Sequence, residues 1–300
     1  MREAIRELDY VPNRTAKALV SGRSHLFGVI VSDITNPFFP EIIQGFEEVA
    51  IGHGYEIMIT SSNYDPHRME QCVQRLIERS VDGVAIMTSE FDQAVMGQLT
   101  RLKVPTVFLD VGTVGKAVSN IRVDYERGIR QAVTHLIELG HERIGFISGP
   151  STLKSARIRR EAFLTALSDA GVANDDSLVI ESNHAIDGGF FAMQKLIEAN
   201  PTAVLASNDL TAIGALRAIR QAGLSVPGDV SVIGFDDIHL ARFTDPPLTT
   251  IRLARAEVAA AAFEALLQSY NDRDAMGCET QVSTSLVVRE STGPRNADVF

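Results

Sequence analysis

LFGVIVSDITNPFF, residues 26–39, contains one full step of the fold. Residues 26–32 are too uniformly apolar to face water on either side, which reads as a strand buried on both faces. A short polar loop follows, and Asn36-Pro37 opens a helix at Phe38, because proline suits a first helical turn where its missing N–H costs nothing. RIGFISGPSTLKSARIRREAF, residues 143–163, repeats the order of strand, polar loop and helix. Two such starts predict an α/β chain made of two doubly wound parallel-sheet subdomains that face each other.

Outward from these starts, YEIMITS (55–61), GVAIMTS (83–89) and PTVFLD (105–110) read as further buried strands of the first unit. AVLASN (203–208) and VSVIGFDD (230–237) join residues 143–149 in the second, with SLVIES (177–182) as a further member. Amphipathic helices are expected at 38–52, 66–79, 126–139, 155–170 and 210–222. PPLTTI (246–251) reads as a crossover, followed by a helix over 257–268 and a last strand over 280–289.

The 300 residues are 45% hydrophobic, enough for a sizeable core and about two domains. Net charge is −10. Residues 1–25 hold five Lys/Arg against three Asp/Glu, a +2 arm on a body near −12, which confines any contact with nucleic acid to the arm. Cys72 and Cys278 lie far apart and outside metal-ligand spacing, as expected of reduced thiols. The N-terminus mixes Arg2, Glu3, Arg6 and Glu7 and lacks an apolar segment, so no signal peptide is expected. With no apolar run near the roughly 18 residues a bilayer needs, the chain is expected to be cytoplasmic and to have no membrane partner.

The arm itself is DYVPNRTAKALVSGRS, residues 9–24. Asn13 suits an N-cap, Pro12 stops any earlier helix, and residues 14–20 read as two turns closed by Gly22. A helix that short orders only when held against something, since isolated helices need about 12–15 residues to be even marginal. Arg14, Lys17 and Arg23 are accompanied by no carboxylate between Tyr10 and His25, so the natural partner is a polyanion.

At this junction the sequence resembles the lactose-repressor (LacI/GalR) family of bacterial transcriptional regulators. The order and spacing of NRTAKAL, SDITNPFF, ASND, VPGDVSVIGFDD, PPLTTI and LVVREST extend the resemblance to about Pro294. It implies a periplasmic-binding-protein-like type I core preceded by a short hinge helix. Residues 1–24 would be the end of a DNA-binding headpiece and the hinge helix. Residues 25–122 with about 253–282 would form the N-terminal subdomain of an effector-binding core, and 123–252 with about 283–300 the C-terminal one. Two hinge helices would pair across a homodimer on operator DNA, with Asn13, Arg14, Ala16, Lys17 and Leu19 as the DNA-binding positions. Leu19 would be the minor-groove wedge and Ala16 its small neighbour. MREAIREL (1–8) matches only the end of the third headpiece helix, so the recognition helix of the helix-turn-helix is expected to be missing. Either the start codon is assigned too far downstream, and the natural chain adds a headpiece, or the chain is truncated.

In open parallel sheets ligands bind beyond the carboxyl ends of the strands. Asp110, Arg159, Asn208 and Asp236 stand there, and each matches an effector-contacting position of the resembled family. Carboxylates, a planar guanidinium and an amide suit the hydroxyls of a sugar. Taken singly, each carboxylate reads equally well as a strand-end turn or a helix cap. Phe38 and Phe39 follow the effector loop, and one ring is expected against the ligand while the other packs in the core. His184 stands where many family members carry an aromatic platform, although a solvent-facing loop histidine is an equal reading. Ser155, Val123 and Asp124 are further cleft positions by resemblance. No cofactor is implied.

Enzymatic motifs are missing: there is no G-x-G-x-x-G after the first strand, no G-x-x-x-x-G-K-[ST], no G-x-S-x-G and no H-E-x-x-H. GTVGK (112–116) reads as a surface turn. The expected function is a ligand-responsive repressor. A truncated effector-sensing dimer and a sugar-binding module are the alternatives, the second needing a signal peptide, which is not expected here.

Overall fold

The computed structural model describes residues 22–88, 93–110 and 112–296. Asn13, Arg14, Ala16, Lys17 and Leu19, the positions expected to meet DNA, lie outside the described residues.

The first run of elements is β1 (Leu26–Val31), α1 (Phe38–Gly52), β2 (Glu56–Ser61), α2 (Pro66–Glu78), β3 (Gly83–Met87), α3 (Gln93–Arg101), β4 (Thr106–Leu109) and β5 (Val118–Asp124). The second is α4 (Tyr125–Glu138), β6 (Ile144–Ser148), α5 (Lys154–Asp169), β7 (Val179–Glu181), α6 (Ile186–Ile197), β8 (Ala203–Ala206), α7 (Asp209–Gln221), β9 (Ser231–Asp236) and β10 (Thr249–Leu253). α8 (Arg255–Asn271) and β11 (Glu279–Val287) close the chain.

The strands share one sheet in the order β2-β1-β3-β4-β5-β11-β10-β9-β8-β6-β7. Each half follows the same doubly wound order: β2-β1-β3-β4-β5 is matched by β7-β6-β8-β9-β10, and all pairs within a half are parallel. β11 joins the halves. Its residues 279–283 run parallel to β5 and its residues 284–287 antiparallel to β10, so the last strand pairs with both halves.

α1 turns Phe38, Phe39, Ile42, Ile43, Phe46 and Ala50 inward at helical spacing. That face packs on α8, where Phe263 meets Phe46 edge-on with ring centroids 5.9 Å apart. α8 thus returns to the first half after β10 has been laid in the second. Local chemistry sets the helix ends. Asp65 caps α2 by accepting from His67 N at 2.8 Å and Arg68 N at 3.1 Å. α4 stops at Gly140, whose φ of +86° lets Gly140 N and His141 N donate back to Ile137 O and Leu136 O.

β5, α3, α6 and β10 were not among the expected elements. β5 breaks the apolar pattern with buried Ser119 and Asn120, which the fold satisfies: Ser119 Oγ accepts from Cys278 N, and Asn120 Oδ1 from Gly112 N. α6 begins IDGGFF, and its glycines argue against a helix until the neighbour is considered. α6 lies so close to α7 that a Cβ on Gly189 would sit 2.2 Å from Thr211 O, and one on Gly214 1.9 Å from Ile186 O. Residues 246–251, expected as a crossover, supply most of β10. Cys72 and Cys278 are free thiols. Among the described residues no helix is long and apolar enough to cross a membrane, and no His/Cys/Asp/Glu group is placed to hold a metal.

Candidate functional site

Each half has a switch point where the strand order reverses, between β1 and β3 and between β6 and β8, and the loops that leave those four strands converge on one cleft. β1 sends in Ser32, Asn36, Phe38 and Phe39, and β3 is followed by Thr88. β6 is followed by Leu153, Ser155 and Arg159, and β8 by Asn208. Asp110, His184 and Asp236 add to the polar lining, so the eight residues expected at the effector site, Phe38, Phe39, Asp110, Ser155, Arg159, His184, Asn208 and Asp236, come together. The space left inside is about 60 Å³, room for only a few water molecules.

Both phenylalanines line this space, where one was expected to. Asn36 explains it: its Oδ1 accepts from Phe38 N at 3.1 Å, and the tight helix start sets the two rings edge to face, 5.2 Å apart, each 7% exposed.

Asp110 follows β4 in the left-handed region, φ +59°. Its Oδ1 accepts from Val123 N at 2.8 Å and its Oδ2 from the Tyr125 hydroxyl at 2.5 Å, while Lys154 Nζ donates to its carbonyl oxygen at 2.8 Å. Burial raises its pKa, against the pull of these bonds and of Arg159 and Lys154. Val123 and Asp124 therefore act from behind. They do not line the cleft, and Asp124 caps α4 through Arg127 N. Asn208 is equally occupied: it caps α7 by accepting from Thr211 N at 2.8 Å and donates Nδ2 to His184 O at 2.9 Å. Asp110 thus serves a strand-end turn and Asn208 a helix cap.

His184 is half-buried, with φ +62°. Its Nε2 bonds Ser207 Oγ at 2.7 Å, and its ring occupies the space a Cβ on Gly149 would take, 1.8 Å from Nε2. Burial and the positive charge of Arg159 lower its pKa to about 3, so the ring is neutral at any working pH.

Arg159 and Asp236 differ from the rest. The Arg159 guanidinium lies over the rings of Phe235 and Tyr125, 4.3 and 4.9 Å from their centroids, and donates Nη1 to Ser207 O at 2.5 Å. Its Nε has no partner, and neither has Asp236 Oδ1, although the residues are only 7% and 4% exposed. Burial raises the Asp236 pKa to about 7, with Arg159 and Arg255 opposing and Glu41 assisting the rise. A donor and an acceptor that line one cleft and are unsatisfied there are what a hydroxyl-bearing ligand needs.

Sequence reasoning missed Tyr64, Tyr125 and Asp209. Tyr64 lines the cleft from the turn after β2. Asp209 is fully buried behind it, accepting from the Thr250 hydroxyl at 2.5 Å and Ile238 N at 2.8 Å. Burial and the neighbouring Asp236 hold Asp209 well above the usual carboxylate range. Tyr125 follows Asp124, which was expected in the cleft by resemblance; Asp209 is visible only once β9 and β10 lie beside α7.

Residues 133–292 match the periplasmic binding protein-like domain family. The repressor PurR of Pasteurella multocida is 33% identical over 296 residues, covering 98% of this chain and 89% of that protein. The lac repressor dimer bound to operator and the anti-inducer ONPF superposes with a TM-score of 0.84 at 29% identity, covering 97% of this chain and 88% of that one. A LacI family regulator from Enterococcus faecium with bound ribose superposes with a TM-score of 0.82 at 28% identity, covering 90% of this chain and 100% of that one. This chain therefore belongs to the LacI family of transcriptional regulators.

Proposed function

We propose that this protein is a repressor whose hold on operator DNA is set by a sugar bound in the cleft. The observation that carries this is the orphaned pair, Arg159 Nε and Asp236 Oδ1, in a cleft otherwise lined by Phe38 and Phe39 rings and by hydrogen-bonded polar groups. The pair offers one donor and one acceptor, the complement of a hydroxyl that both accepts and donates. The ribose-bound relative supports a monosaccharide, and the limited free volume fits a small ligand that enters as the halves part.

The DNA partner is assigned to the hinge residues Asn13, Arg14, Ala16, Lys17 and Leu19, and the working unit to a homodimer in the cytoplasm, by analogy with the operator-bound dimer. The cleft binds rather than catalyses. The proposed division of labour has residues 25–122 and about 253–282 moving against 123–252 and about 283–300. An effector that binds one arrangement better shifts DNA affinity by its differential binding alone.

The test is fluorescence anisotropy of the full-length protein, headpiece included, on the palindromic sites near the gene, across a salt series, with D-ribose, other pentoses, hexoses and purine bases added in turn. A sugar that shifts the DNA midpoint and raises the melting temperature of the protein supports the reading. A shift by purines alone would reassign the effector, and the absence of any salt-sensitive site preference would sink the repressor assignment.

A further inference from the structure

Arg255 is the first residue of α8, at the point where the chain leaves β10 in the second half and returns to the first. Its guanidinium faces both halves. On one side it pairs with Glu41 of α1, Nη2 to Oε2 at 2.7 Å. On the other, Nη1 donates to Asp236 O and Nη2 to Asp237 O at 2.8 Å, both at the end of β9. The second carboxylate oxygen of Glu41 also crosses, accepting from His239 N at 2.9 Å. Arg255 and Glu41 are 18% and 26% exposed, so water competes only in part.

These bonds meet at cleft elements. Glu41 lies in the first turn of the helix that presents Phe38 and Phe39, and the carbonyl held by Arg255 belongs to Asp236, whose backbone sits at φ +112°. We infer that Glu41 and Arg255 form a positioning clamp: by holding α1 to the end of β9 they close the cleft and aim the Asp236 carboxylate into it. Neither side chain lines the cleft, so both act through Asp236 and the Phe38–Phe39 turn. Opening the halves separates Glu41 from His239 N, and the forked guanidinium must then give up either Glu41 or the two carbonyls. The clamp is part of the resistance that a ligand overcomes on entry and regains on closure. The inference rests on the proposed effector site but is tested without ligand.

The experiment compares the ligand-free wild-type protein with Glu41→Ala, Arg255→Ala, the double variant, Arg255→Lys, and a control that breaks the exposed Arg130–Asp169 pair, Arg130→Ala. Small-angle X-ray scattering reads closure, and hydrogen exchange reads the 236–240 amides. Loss of one charge-assisted bond should speed exchange there about tenfold or more, with a larger radius of gyration and no change in the β6 and β8 amides. The double variant should exceed either single variant but fall short of their sum, because the Glu41–Arg255 pair is lost in both singles, whereas the His239 N bond and the two carbonyl bonds are each lost in one. Arg255→Lys should open as well, since an ammonium cannot span a carboxylate and two carbonyls in one plane. Should Glu41→Ala fail to fold, Glu41→Gln serves, keeping an acceptor for His239 N while weakening the hold on Arg255. Wild-type scattering and exchange in these variants, or additive single effects, would overturn the inference. If no sugar binds but the variants open, the clamp stands and the effector assignment falls.

Discussion

The Tyr125 hydroxyl donates to Asp110 Oδ2 at 2.5 Å, from the first residue of α4 to the residue that follows β4. The bond ties the strand-end carboxylate of the first half to the helix that opens the second. Burial and the Asp110 charge hold the Tyr125 pKa well above its ordinary value, so the phenol remains a donor. Tyr125→Phe leaves a buried carboxylate with one bond fewer and should lower unfolding free energy by about 1–3 kcal/mol, measured in urea. An unchanged midpoint would mean that Lys154 or water replaces the hydroxyl.

Asp236 should make ligand binding pH-dependent. Its pKa is raised from 3.8 to about 7, so its contribution to stability is full below about pH 4 and is lost as pH rises through 7. Asp236→Asn should be more stable than wild type above pH 7, the difference vanishing near pH 4. Ligand hydroxyls that donate to the carboxylate favour its ionised form, so wild-type affinity should climb as pH rises from 5 to 8. Titration calorimetry of Asp236→Asn should instead give a weak, flat profile.

Arg159→Met keeps the stem over Phe235 and Tyr125 but removes the donors. Ligand affinity should fall about 100-fold, the scale of a hydrogen bond to a charged group. Arg159→Lys should recover little, because an ammonium cannot stack on both rings and reach Ser207 O. Full affinity in the lysine variant would show that charge alone suffices.

Gly149→Ala should evict the His184 ring, since the new methyl would meet Nε2 at 1.8 Å. Overpacking of this kind costs about 1–3 kcal/mol. In wild type the neutral ring, with its pKa near 3, adds stability above the unfolded value of 6.5 that is lost as pH falls toward 3. In Gly149→Ala this acid sensitivity should shrink and the histidine should titrate near its ordinary value by NMR. A His184 that still titrates near 3 would place the ring elsewhere than against Gly149.

Much of this was legible in one dimension. Runs such as GVIVS and GFISG are apolar because both faces of their strands are covered, so composition reveals their burial and their parallel pairing. The strand-end positions of Asp110, Asn208 and Asp236 were legible for a related reason, each being a polar residue that ends an apolar run, although a turn or cap role reads equally well there. β5 and α6 were not, because buried Ser119 and Asn120 and the paired glycines make sense only beside their partners.

By itself, then, the sequence determined most of the strands and helices and the doubly wound class, since these follow from local periodicity and from hydrophobic burial, while the residues expected at a common cleft came from their strand-end places together with the family resemblance. Tertiary structure decided which of those residues remain open to a ligand. Asp110 and Asn208 spend their hydrogen bonds on Val123, Tyr125, Thr211 and His184, whereas Arg159 Nε and Asp236 Oδ1 are buried without partners. Hydrogen-bond satisfaction is a property of neighbours in space: Val123 reaches Asp110 because β5 pairs with β4, and His184 reaches Asn208 from the loop before α6.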